Sequence, residues 1–284
     1  MPTDWVRLET RIFWYLFAAL FLAVATWETL APRAAPTQRT GRRWGVNAWL
    51  LLISSIFSVT ILRFSPVGVA LAVSGRSGPT VQQLPPAAGF LLTLLALDAW
   101  AWCGHRFLHA TRWGWRIHQV HHSDMDYDVT TGSRFHPLES IFLKSGQLAV
   151  VFLLGPAPLA VLAAEMIGLV ANFFEHANAR LPVALAHALR MVIVTPEIHR
   201  IHHSLHRDEQ QKNYGQIFPL WDHLAGTFQS ESSAGPAGPV GVASIGRHLG
   251  WGEALLLPFQ RGRQQLAATS AAGSAESAGH RKSS

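Results

Sequence analysis

The chain has 284 residues, 49% of them hydrophobic and only 14% charged, with a formal net charge of +6. An average soluble domain is about 25% charged. Here the apolar residues fall in blocks, the first three of them without the polar stripe of an amphipathic helix, which argues against a soluble helical protein and for an integral membrane one. The single cysteine, Cys103, excludes an intrachain disulfide and a cysteine-built metal or iron–sulfur site. It reads as a small buried hydrophobe.

Taken in order, the blocks cover residues 12–30, 48–64, 87–103, 140–154 and 157–174. The first is close to the ~20 residues that cross a bilayer core, and the fourth is short and carries Lys144. The first block follows Asp4 and Glu9 and reads as a span rather than a cleaved leader. Between the first two blocks, 31–46 carries Arg33, Arg39, Arg42 and Arg43, whereas the loop expected at 65–86 carries only Arg76. Excess Lys and Arg mark the cytoplasmic side. The expected topology therefore starts outside and has five spans, the last two forming a hairpin at Gly155-Pro156-Ala157-Pro158. Everything else after the third span is then cytoplasmic, in the inner or plasma membrane. The positive charge suits anionic lipid headgroups. No basic stripe interleaved with stacking aromatics points to nucleic acid. Several of the eleven tryptophans, among them Trp5, Trp14, Trp44, Trp49, Trp113 and Trp115, suit an interfacial belt, others the core.

Three regions follow: an N-terminal transmembrane part (1–86), a histidine-bearing part (87–228), and a C-terminal part (229–284). The last reads as a Ser/Gly/Ala/Pro linker, a short interfacial helix within 247–260, and a disordered tail from about Gln264. The expected fold class is all-α, a polytopic membrane helical bundle with a cytoplasmic helical cap.

That cap contains the most specific pattern. His118-Gln119-Val120-His121-His122 and His199-Arg200-Ile201-His202-His203 share the form H-x-x-H-H about eighty residues apart, and His105 and His109 precede the first. On a helix, positions i, i+3 and i+4 fall within roughly 100° of arc, so each string presents its imidazoles to one side. A lone histidine is usually a surface or hydrogen-bonded residue, but eight in three clusters suit a dinuclear metal site. One ion takes three or four protein ligands. A zincin is excluded by the absence of H-E-x-x-H, a deaminase by the absence of its cysteines, and a soluble di-iron carboxylate bundle by the absence of Glu-x-x-His. Ligand type alone admits Zn, Cu, Fe or Ni. It leaves open a divalent-metal transporter, whose ligands usually lie mid-membrane on broken helices, and a di-zinc membrane hydrolase.

The ordered strings Asp98-x6-His105-Arg106-x-x-His109, His118-x-x-His121-His122-Ser123 and Pro196-Glu197-Ile198-His199-x-x-His202-His203-Ser204 resemble the fatty acid hydroxylase (sterol desaturase) superfamily. So do His136-Pro137-Leu138-Glu139, Asn172-x-x-x-His176, Asn213-Tyr214-Gly215 and Trp221-Asp222. The resemblance covers roughly residues 90–228. It implies that the eight box histidines hold two iron ions that activate O2, as co-substrate, to hydroxylate, desaturate or cleave a lipid, and that His176 is a further ligand. Zinc found after overexpression would not contradict iron, because zinc competes well for imidazole. No flavin, haem or dinucleotide fingerprint occurs in the chain, so electrons are expected from a separate electron-transfer protein.

Four further residues carry expectations. Asp98, alone in an apolar helix, is expected to accept a hydrogen bond from a ligand histidine, since a lone buried carboxylate is costly. Asp222 and Glu197 are weaker candidates for the same task. His136 is expected to be a ligand or to support one from behind.

Overall fold

The computed structural model describes residues 2–260. Within them all regular secondary structure is helical, with two isolated bridges and no strands. Five apolar segments are long enough to cross a membrane: Asp4–Leu30, Thr40–Val73, Pro86–Ala110, Pro137–Leu154 and Pro158–Glu175. The long helices are α1 (Pro2–Leu30), α2 (Thr40–Leu62), α4 (Pro86–Ala110), α6 (Pro137–Leu154) and α7 (Pro158–Glu175). Proline opens α4, α6 and α7, where its missing N–H costs nothing. Gly155, at φ 57°, closes α6 and lets the hairpin reverse into α7.

The stretch 65–86, expected to be a plain loop, instead contains α3 (Pro66–Val73). The backbone turns at Arg63, and Ser65 caps α3 by accepting from the Gly68 N–H at 3.0 Å. Val67 and Ala70 are fully buried in the main core with Leu94, Val151 and Val161. An eight-residue apolar helix is worth more packed than wet. Cys103, expected inside, lies on the exposed side of α4.

Close approach of α4 and α6 depends on two glycines. A Cβ on Gly104 would meet Leu143 Cδ2 at 2.9 Å, and one on Gly146 would overlap the Trp100 indole. That indole is pinned by its N–H donating to the Leu143 carbonyl at 2.9 Å. Gly146→Ala is therefore expected to destabilise the detergent-solubilised protein by about 1–3 kcal/mol, the usual cost of overpacking, seen as a lower Tm.

Short helices gather at one end of the bundle: α5 (Arg112–His122), α8 (Val183–Leu189), α9 (Pro196–His202), α10 (Arg207–Gln210), α11 (Leu220–Ala225) and α12 (Trp251–Leu256). The C-terminal ends of α1, α4 and α7 and the N-terminal ends of α2 and α6 all meet this cap. Glu28 of α1 accepts from the Val129 and Asn178 N–H groups, both at 2.7 Å. Arg43 of α2, buried, pairs with Asp124 at 2.9 Å and with Asp128. Arg33 pairs with Glu197. Two of the arginines counted in the 31–46 loop are thus engaged within the protein, and Arg39 and Arg42 remain exposed.

The segment after Gln229, expected to be a linker, packs back over α9. The Leu205 N–H donates to the Pro239 carbonyl, the Gly241 N–H donates to the His203 carbonyl, and Val240 and Val242 are buried. The expected helix within 247–260 is α12, whose Ala254, with Leu257, packs on Val46, Leu50 and Val120 while Trp251 stays 60% exposed. The expected disordered tail lies outside the described residues.

Candidate metal centre

The site is built where α4 ends and α5 begins. Thr111 stops α4 and caps α5, its hydroxyl accepting from the Gly114 N–H at 3.1 Å. A Cβ on Gly114 would stand 2.6 Å from Leu108 Cα, so glycine is what permits the sharp corner. The corner folds His105 and His109 over the first H-x-x-H-H string. Arg134 then fastens the far end of α5: its guanidinium donates to the Val120 carbonyl (2.8 Å), Asn47 Oδ1 (2.7 Å) and Ser123 Oγ (2.9 Å). The second string enters on α9, and His176 enters as the C-cap of α7.

All nine expected ligand histidines converge, in two groups. His105, His109, His118, His122 and His202 form one; His121, His176, His199 and His203 form the other. Each group has one ligand atom per residue, all within 4.8 Å of one another. The strings therefore do not serve one group each. Neighbouring histidines diverge by about 100° around the helix, so His121 and His122 part, as do His202 and His203.

The facing atoms are mostly Nε2. His105 and His118 approach at 3.0 Å, His118 and His122 at 3.2 Å, His176 and His199 at 3.2 Å, and His121 and His176 at 3.4 Å. Two nitrogens each about 2.1 Å from one ion, at right angles, stand about 3 Å apart. The Nε2 atoms of His109, His202 and His203 are buried without a partner. Such orphans are costly in an apolar interior, and a cation in each group satisfies them. The donor set thus fits two metal ions.

Burial, and then the neighbouring imidazoles, push His121, His122, His199 and His203 well below the usual imidazole range. Burial and the adjacent His118 push His202 down to about 3, and burial pushes His176 down to about 4. At neutral pH these rings are uncharged, the state in which imidazole ligates.

Outward-facing Nδ1 atoms are held from behind. His118 Nδ1 lies 2.6 Å from Glu139 Oε1. His105 Nδ1 meets the Tyr214 carbonyl at 2.9 Å, His202 Nδ1 the Lys212 carbonyl at 2.7 Å, and His176 Nδ1 the Asn172 carbonyl at 2.9 Å. Buried Glu175 stands 3.6 Å from His176 Nδ1 and 3.8 Å from His199 Nδ1. Such partners select a tautomer and raise ligand basicity.

The expected supporting residues lie elsewhere. Asp98 touches no histidine: it accepts from the Ile217 N–H (2.9 Å), the Phe218 N–H (3.3 Å) and the Trp221 indole (2.8 Å). Asp222 accepts from the Tyr214 N–H at 3.0 Å, the Gly215 N–H at 2.7 Å and the Trp102 indole at 3.1 Å. These two carboxylates shape the loop whose Tyr214 carbonyl meets His105, and so act on the site at one remove. His136 caps α6 through Nδ1 and meets the Leu255 carbonyl through Nε2, apart from both groups. Sequence reasoning did not assign Glu139 or Glu175. Their signal was adjacency, one within the His136–Glu139 string and the other beside His176.

A cavity of about 370 Å³ opens from both groups, reaching His105, His118, His121, His176 and His199. It continues between α4, α6 and α7 past Leu94, Leu97, Leu143 and Leu169 to Lys144 and Glu165.

Residues 90–227 match the family model for fatty acid hydroxylase. An ornithine lipid hydroxylase of Rhizobium tropici is 29% identical over 279 residues, 92% of this chain and 80% of that protein. An alkylglycerol monooxygenase of Danio rerio is 30% identical over 157 residues, 54% of this chain and 34% of that protein. A very-long-chain aldehyde decarbonylase of Oryza sativa subsp. japonica is 28% identical over 166 residues, 56% of this chain and 62% of that protein. No solved structure matches. The matched segment, which contains all nine clustered histidines, is a domain of the fatty acid hydroxylase and sterol desaturase superfamily.

Proposed function

We propose that this protein is a membrane-bound, O2-dependent di-iron hydroxylase of a lipid. The carrying observation is that both histidine groups open onto one largely apolar cavity that runs into the transmembrane bundle. Relatives whose names specify lipid hydroxylation and monooxygenation support the same reading.

Two iron ions held by the nine histidines would supply the O2 activation that oxidation of an unactivated C–H bond demands, chemistry no side chain provides. Hydroxylation consumes O2, two electrons and two protons and yields hydroxylated lipid and water. The electrons come from a separate donor protein. The chain's own residues do the rest. Glu139 and the Tyr214, Lys212 and Asn172 carbonyls hold imidazoles in the ligating tautomer. Leu94, Leu97, Leu143 and Leu169 line an apolar path to the histidines for a lipid chain. Phe135, stacked on His121 at 5.0 Å, and Trp115, 5.1 Å from His109, shield the groups from water.

The test is lipid mass spectrometry on membranes containing the reconstituted protein, a reductase system and isotopically heavy O2. A product carrying one heavy oxygen atom is expected. A product carrying oxygen from water would instead indicate the hydrolase, and metal uptake into vesicles without O2 consumption the transporter.

The cap faces the cytoplasm in this reading, where reductants are available. With Cys103 replaced by Ser, Ser77→Cys at the far end is expected to react with an impermeant maleimide in intact cells. Arg42→Cys, at the cap end, should react only after permeabilisation. The reverse pattern overturns the orientation.

A further inference from the structure

Two segments of the cap do not stay at its level. The loop after Asn213 descends beside α4 and α7. Its Ile217 N–H donates to Asp98 Oδ1 at 2.9 Å, the Trp221 indole to Asp98 Oδ2 at 2.8 Å, and Gln216 Nε2 to the Gly168 carbonyl at 3.3 Å. Asp98 lies twelve residues before the end of α4, about 18 Å along its axis, and Gly168 seven before the end of α7, about 10.5 Å. Ile217 is buried in the core that holds Leu97 and Ala164, and Ala164 lies past the middle of α7 as counted from the cap. With 18 residues α7 is about 27 Å long, barely the thickness of a bilayer core, so its middle lies inside the membrane. The segment before α9 follows the loop down, the Val194 N–H donating to the Ile217 carbonyl at 2.9 Å.

What these segments turn outward is apolar. Met191 is 65%, Val192 63% and Leu224 73% exposed, and Leu220 is exposed as well. No ionisable side chain occurs between Met191 and Pro196. Between Gly215 and Phe228 there are only Asp222, which is buried, and His223, whose ring stacks on Phe228. The stretch that joins the two segments is the reverse, with Arg207 and Asp208 exposed. The loop backbone agrees. The Tyr214 and Gly215 N–H groups end on Asp222, and those of Ile217 and Phe218 end on Asp98. At membrane depth no water serves such groups, and irregular backbone is tolerated only where protein satisfies it. A carboxylate inside a span is costly. Two carboxylates covering four N–H groups fit a loop that has no water around it.

We propose that residues 191–194 and 215–224 are re-entrant segments, immersed in the cap-side leaflet with Met191, Val192, Leu220 and Leu224 against acyl chains, while 205–212 stays in water. The bilayer is the occupant of this face because the face continues the lipid-facing surface of the helices it packs on, where Phe107 of α4 and Val170 of α7 are also exposed. This amends the expectation that everything after the fifth span lies in the cytoplasm. It also gives the cavity a wall one loop thick. Tyr214, Gly215, Gln216 and Ile217 line the cavity on one side, and Leu220 faces acyl chains on the other. The proposal rests on the five membrane spans and not on the oxygenase reading.

Fluorescence quenching tests this without turnover. The metal-loaded full chain, with Cys103 replaced by Ser, is reconstituted into phosphatidylcholine vesicles with a bimane fluorophore on Val192→Cys or Leu224→Cys. Quenching by a nitroxide on the acyl chain of the lipid is compared with quenching by iodide in the water. Both fluorophores are expected to be quenched by the lipid nitroxide and spared by iodide, as is one on Leu52→Cys in α2, whereas one on Glu231→Cys shows the opposite. All four positions are exposed, so the fluorophore displaces no packed side chain. A Val192 or Leu224 fluorophore that follows Glu231 overturns the proposal. So does one shielded from both quenchers, because a second copy or another protein then covers the face. Leu52 following Glu231 removes the membrane reading and this one with it. The unsubstituted protein gives a second measurement. A phosphatidylcholine with a diazirine on its acyl chain should mark 191–194 and 215–224 and spare 205–212, and the reverse distribution overturns the proposal.

Discussion

His202→Ala combined with His203→Ala is expected to weaken the hold on both metals, whereas His121→Ala combined with His203→Ala is expected to strip one and leave the other bound as in the wild type. The first pair are sequence neighbours that enter different groups, and the second pair are distant residues that share one. The measurement is metal content per chain by elemental mass spectrometry, on protein shown to be monodisperse. Single replacements should differ too. The group of four falls to three ligands with His203→Ala, while the group of five keeps four with His202→Ala, so His203→Ala should lose metal more readily. Both singles should reduce lipid oxidation by more than about 100-fold, the upper end of what loss of a supporting partner behind a ligand costs. If the neighbouring pair loses one ion and the distant pair loses both, each string serves one ion and the interleaved assignment is wrong.

Glu139→Gln should lower metal affinity or activity by about 10–100-fold with the fold intact. Glu139 is fully buried, its Oε1 lies 2.6 Å from His118 Nδ1, and its other oxygen has no partner. The amide keeps the shape but removes the charge that makes the His118 imidazole a stronger donor. Asp98→Asn is the informative comparison, since Asp98 contacts the 217–221 loop and no histidine. Its amide must turn an N–H toward one of three N–H donors, so a lower Tm of about 1–3 kcal/mol in stability is expected. Metal loss under chelator challenge should be smaller than for Glu139→Gln. Equal metal loss in the two variants would place the His118–Glu139 contact among merely structural ones.

The spans, the all-helical class and the eight box histidines were legible in the sequence because each rests on a local rule, whereas His176 was expected only from the family resemblance. Bilayer thickness demands an apolar run of set length, and helical periodicity puts i, i+3 and i+4 on one face. Local rules fail for partners distant in the chain. Nothing near Asp98 reveals that the N–H groups of 217 and 218 reach it, and Glu139 is separated from His118 by a whole loop. Arg33 and Arg43 read as headgroup-facing charges until their acidic partners on Glu197 and the 124–128 loop are seen. The linker-like composition of 230–241 likewise hides its backbone pairing with 203–205, because backbone hydrogen bonds carry no side-chain signature. By itself, then, the sequence determined which imidazoles are available to gather and that they sit at the end of a bundle of apolar helices. The tertiary structure decided how they divide. Adjacent histidines point about 100° apart, and only the packing of α4, α5, α7 and α9 against one another sends His122 and His202 to one group and His121 and His203 to the other.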